Sequence, residues 1–163
     1  MNGNRILMLF ASTALVALVQ PALGPHTAFA AEYNETGTNC WVGKSNVVVR
    51  GKGDVAMSYV FHGTSIHDNP KSPLHKGSYK CVGSGTFAKG IFTGQTYCVA
   101  VNKNKDKAFV VCVPGKCTYT RGTGKLAGIT GGSTMKLLGP FPSPEKGVFV
   151  NCSTNRYKFT IPD

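Results

Sequence analysis

Acidic side chains are scarce in this chain, with seven Asp and Glu in 163 residues against 18 Lys and Arg. Glu32, Glu35, Asp54, Asp68, Asp106, Glu145 and Asp163 stand singly, so the carboxylate pair that glycoside hydrolysis needs is missing. The G-x-S-x-G elbow of the α/β-hydrolases and the G-x-x-x-x-G-K-[ST] phosphate loop are missing too. No long stretch repeats its apolar residues every 3.6 positions, which excludes a helical domain. After residue 30 no segment is apolar enough to span a bilayer, so the sequence predicts a soluble mature chain.

What is present begins with an address label. Asn4-Arg5 gives a short positive region, Ile6 to Val19 is an uncharged, mostly apolar run, and Ala28-Phe29-Ala30 offers small residues where a signal peptidase reads. The apolar run is shorter than the ~20 residues of a spanning helix and is followed by Gln20, Pro21 and Gly24, which argues against an uncleaved anchor. The expected organisation is a signal peptide over 1–30, cut before Ala31 (a cut after Gly24 is the alternative), and one domain over 31–163, secreted or periplasmic. Cleavage removes only Arg5 among the charged residues, leaving 17 basic against seven acidic side chains, net +10. Such a field draws polyanions and anionic membrane surfaces without dictating fold.

All six cysteines, Cys40, Cys81, Cys98, Cys112, Cys117 and Cys152, fall in the mature part, and an even count in an exported chain predicts disulfides. Only Cys112 and Cys117 lie close together, with no second pair and no histidine beside them, which argues against zinc. The chain otherwise reads as short apolar or alternating segments divided by Gly, Pro, Asn and Ser. Val55, Met57, Tyr59 and Phe61 share one face, and Tyr157, Phe159 and Ile161 alternate with Lys158 and Thr160, as in a sheet with one buried side. Ten candidate strands between Trp41 and Ile161, with residues 31–39 loose, predict an all-β fold, preferably a small antiparallel barrel of about eight strands rather than a sandwich. A hairpin centred on Lys105 would set Cys98 opposite Cys112, leaving Cys117 for Cys152 and Cys40 for Cys81. A two-residue Pro114-Gly115 turn would instead set Cys112 opposite Cys117, but Pro-Gly suits tight hairpins poorly, so the first pairing is preferred. Trp41, next to Cys40, is expected to pack on a disulfide.

The most distinctive segment runs from Gly122 to Gly131, GTGKLAGITG. Its G-x-G-x-x-x-G spacing is one residue longer than the dinucleotide fingerprint and lacks the βαβ setting. Followed by an alternating strand, it resembles the turn of the allene oxide cyclase-like and dirigent-like β-barrels, and of exported bacterial proteins that pair it with an upstream hairpin, over about Ser78 to Leu138. The resemblance implies a barrel whose interior takes apolar substrates, and in characterised relatives cyclises or guides reactive intermediates. The relatives' hairpin turn tends to be acidic and glycine-containing, whereas here it is Lys103 to Lys107 (KNKDK), which weakens a cation site. None of the relatives' catalytic residues maps onto a position here.

Three mature histidines, His62, His67 and His75, fall with Asp68 in one stretch read as a polar loop. Imidazole and carboxylate suit a metal, but the spacing fits neither a helix nor a strand, and no cofactor is expected. His62, His67, Asp68 and Tyr97 are the candidate acid-base residues, because histidine titrates near neutrality. Lys103, Lys105 and Lys107 are the candidate anion-binding cluster. The expected role is binding of a small apolar ligand in the barrel. The alternatives are attachment to an anionic polymer or membrane surface and a cyclase- or isomerase-like activity.

Overall fold

The computed structural model describes residues 30–143 and 145–163. The expected signal peptide lies outside them except for Ala30. The described residues form eight strands: β1 (Ala31–Gly51), β2 (Asp54–His67), β3 (Gly77–Ala88), β4 (Ile91–Val101), β5 (Lys107–Val113), β6 (Lys116–Gly122), β7 (Thr130–Phe141) and β8 (Val148–Ile161). Each pairs antiparallel with its neighbour in sequence, and β8 returns to β1, closing the barrel. The all-β barrel expected from the alternation is therefore the fold. Closure pairs every strand with a neighbour on both sides over part of its length, which leaves only short edges free to recruit another chain.

Residues 31–39 are not loose. They are the first half of β1, paired with β8 from Ala31↔Ile161 to Asn39↔Ser153. Their polarity hid the strand because the barrel interior is itself polar at this level, where Glu35 and Asn39 share the inner face with Tyr33 and Trp41. The polar loop expected around the histidines starts only after His67, since β2 continues through His62 to His67, and of the three histidines only His75 lies in it.

The two ends of the barrel differ. At one end Leu74, Ala108, Leu126, Ile129, Tyr157, Phe159 and Ile161 form the buried core. The GTGKLAGITG segment supplies the plug: a single 3-10 turn at Gly124–Leu126 drives Leu126 and then Ile129 into the barrel, both almost fully buried. Its role is thus apolar closure. At the other end β1 to β4 rise above the rest. β5 pairs with β4 only as far as Thr96↔Cys112, and β8 pairs with β1 only as far as Lys44↔Val148. The inner face of this raised wall carries Val47, Val49 and Phe87, all exposed.

The disulfides are Cys40–Cys152, Cys81–Cys98 and Cys112–Cys117, which corrects the preferred pairing. Each joins two residues directly opposite in adjacent strands, with Cα atoms 4.0–4.1 Å apart. The hairpin of β4 and β5 is in fact centred one residue earlier: Val101 faces Lys107, Cys98 faces Val110 and Cys112 faces Thr96. Asn102 sets that register, because its side-chain oxygen accepts the amides of both Asn104 and Asp106, and Lys105 takes a φ of 65° to close the turn. Pro114-Gly115 is the two-residue turn that was disfavoured. Gly115 at φ 79° provides the left-handed second position that a proline-led turn requires, and Val113 faces Lys116 across it.

Candidate functional site

Between the plug and the open end lies a cavity of about 750 Å³, within the range of small-molecule sites. Its walls are the inward-facing residues of all eight strands. Aromatic rings dominate: Trp41 from β1, Tyr59 and Phe61 from β2, Tyr79 from β3, Phe92 from β4 and Phe149 from β8. These rings do not fill the barrel because glycines on neighbouring strands let them lie flat against the wall. A Cβ on Gly63 would collide with the ring of Tyr79, and one on Gly43 would sit 2.6 Å from Phe149. Large and small residues thus alternate across strands, and the centre stays open. Two disulfides, Cys81–Cys98 and Cys112–Cys117, also line the cavity. Trp41 faces inward, 5.7 Å from Phe61, whereas Cys40 faces outward, so alternation separates Trp41 from the adjacent disulfide it was expected to cover.

The floor next to the plug is polar and tightly bonded. Asn39 Oδ1 accepts the hydroxyls of Ser65 at 2.6 Å and Tyr157 at 2.7 Å. The ring of Tyr157 stacks on His67 with centroids 4.1 Å apart. His67 Nδ1 lies 2.7 Å from Glu35 Oε1, which also accepts the hydroxyl of buried Ser72 at 2.6 Å. A loop contact holds the arrangement from behind, since His75 Nδ1 donates to the His67 carbonyl at 2.7 Å. Higher in the cavity the hydroxyls of Tyr59 and Thr96 meet at 2.7 Å.

Burial sets the protonation of this floor. It pushes His67 below the ordinary histidine value, outweighing the upward pull of Glu35, so the imidazole is neutral at pH 7. Burial pushes the Tyr79 and Tyr119 hydroxyls well up and raises that of Tyr157, which keeps all three protonated. With Nδ1–H donated to the Glu35 carboxylate, His67 Nε2 carries the lone pair. A carboxylate-oriented imidazole of this kind can accept a hydrogen bond or a proton.

Of the candidate acid-base, metal-binding and anion-binding residues, only His67 reaches the cavity. His62 and Asp68 are exposed on the outside, with Asp68 bonded to the Thr36 hydroxyl. Tyr97 points outward and is 55% exposed. His62, His67 and His75 do not converge, and among the described residues no three His, Cys, Asp or Glu side chains are grouped as metal ligands. Lys103, Lys105 and Lys107 are exposed on the β4–β5 turn at the plugged end, away from the mouth. Sequence reading missed Glu35 and Asn39 on β1 and Ser72 in the loop after β2; Glu35 lies 32 residues from His67 and 37 from Ser72, and Asn39 lies 26 from Ser65 and 118 from Tyr157. Comparison with protein-family models, curated proteins and solved structures finds no match for this chain.

Proposed function

We propose that this protein is exported and holds a small apolar molecule inside its barrel. The observation that carries the reading is the aromatic cavity of about 750 Å³, plugged at one end and open at the other. Burying a ligand's apolar surface there is worth roughly 25 cal/mol per Å² before the costs of association. The raised wall bearing Val47, Val49 and Phe87 extends the apolar surface beyond the rim, giving room for a tail. The resemblance of the GTGKLAGITG turn to barrels that enclose apolar substrates points the same way. Three disulfides are compatible with an oxidising extracellular or periplasmic space, which supports export.

The test is uptake of Nile red, an uncharged apolar dye. Wild type should bind it with a saturable rise in emission. The double variant Ser45→Phe, Ser133→Phe puts two rings into the cavity from positions that make no side-chain hydrogen bond in the structure. It should bind at least about tenfold more weakly while its melting temperature changes little, a modest repacking effect. Equal uptake by both proteins would overturn the reading.

A further inference from the structure

The cavity contradicts the charge of the chain. Among the described residues no lysine or arginine lines it, although the protein carries 18. The charged side chain nearest its floor is acidic: Glu35, almost fully buried, behind His67. Neither Glu35 nor Ser72 lines the cavity, whereas His67 does, so the Nδ1 edge of the ring is turned away and Nε2 lies on the cavity side. Asn39 Oδ1 already accepts two hydroxyls, and the unpartnered Glu35 Oε2 belongs to a side chain that does not line the cavity, which leaves Nε2 as the acceptor of this cluster on the cavity side.

Resting on the cavity-binding reading, we propose that the site selects an uncharged apolar molecule bearing a hydroxyl group, with that hydroxyl donating to His67 Nε2, and that it rejects anions. A carboxylate at the same place would be stripped of water without a cation to pair with, and would face the Glu35 charge at close range. The basic exterior does not offset this, because exposed charges beyond about 10 Å are screened by salt. A neutral group with no O–H would fit but would leave Nε2 unbonded.

Three ten-carbon probes separate these cases: decan-1-ol, methyl decanoate and decanoate. Each is titrated into the oxidised protein at neutral pH and followed by the fluorescence of Trp41, the chain's single tryptophan and part of the cavity wall, with displacement of Nile red as a second readout. Decanol should bind tightest, the methyl ester several-fold weaker and decanoate at least about tenfold weaker than decanol. In the His67→Phe, Glu35→Gln double variant, which keeps a ring on Tyr157 and leaves no buried charge, decanol should fall to the level of the ester. Decanoate binding as tightly as decanol in wild type would overturn the head-group inference while leaving the cavity reading intact. Failure of all three probes and of Nile red would overturn both.

Discussion

Glu35 and His67, on adjacent strands, meet at 2.7 Å inside the barrel, with both side chains almost completely withdrawn from solvent. The contact joins the first strand, which is bonded to the last, to the end of the second, so it ties the seam of the barrel to its floor. Because burial outweighs the carboxylate, the ring is held neutral, and protonating it means placing a charge in a buried, stacked site.

This gives stability a pH dependence of definite sign. The folded-state value of His67 lies below its unfolded value of about 6.5, so just under that pH the unfolded chain binds more protons than the folded one. The contribution is complete above pH 6.5 and is lost as the pH falls through the folded value. Glu35, Asp68 and His75 are the other charged or titratable groups acting on the ring. Melting temperature should therefore decline from pH 7 to about pH 5 in wild type. In His67→Gln, which can still donate to Glu35, that decline should be flatter. An equally steep decline in the variant would remove His67 as its cause.

How much of this was legible in the sequence depends on which face of a strand one considers. The alternation of Val55, Met57, Tyr59 and Phe61 revealed β2 and its apolar side, and hence the barrel. The same rule failed at residues 31–39, because Glu35 and Asn39 point inward to build the polar floor and so erase the hydrophobic period. In the sequence glycine reads as a divider between strands, whereas Gly43 and Gly63 lie within β1 and β2 and serve as seats for aromatic rings on neighbouring strands. That use depends on the pairing of distant segments, which no local pattern contains. The disulfide error was one of register. A shift of a single residue in the β4–β5 turn, fixed by the Asn102 side chain, moved Cys98 from Cys112 to a position opposite Val110. His67 was found because histidine is rare and titratable, but its partner Glu35 carried no mark to distinguish it from six other acids.

The observed disulfides predict a ranking of stability losses. Cys40–Cys152 spans 112 residues, Cys81–Cys98 spans 17 and Cys112–Cys117 spans five. Loop-closure entropy assigns them about 5, about 3 and about 2 kcal/mol, so pairwise Cys→Ser variants should lose stability in that order. The first pair also joins β1 to β8, where the closing seam lies. Denaturant unfolding of the three double variants checks the ranking. If removing Cys112–Cys117 cost most, chain entropy would not be the governing effect, and its place in the cavity wall would be.

The lysine cluster offers a separation of roles. Lys103, Lys105 and Lys107 crown the turn at the plugged end, whereas the cavity opens at the other. The turn is shaped by Asn102 and Asp106, whose side chains bond to each other at 3.2 Å and not to the lysines. Replacing all three lysines with Ala should therefore leave the fold intact, because even at Lys105, where φ is 65°, Ala carries the same Cβ as Lys. If the basic exterior also attaches the protein to an anionic polymer, the triple variant should elute from heparin at clearly lower salt. Its affinity for Nile red should not change, because the screened field of the turn does not reach the cavity. An unchanged elution would locate any polyanion contact among the scattered lysines instead. A parallel loss of dye binding would show that the plugged end and the cavity are coupled, contrary to the rigid floor formed by Asn39, Tyr157 and His67.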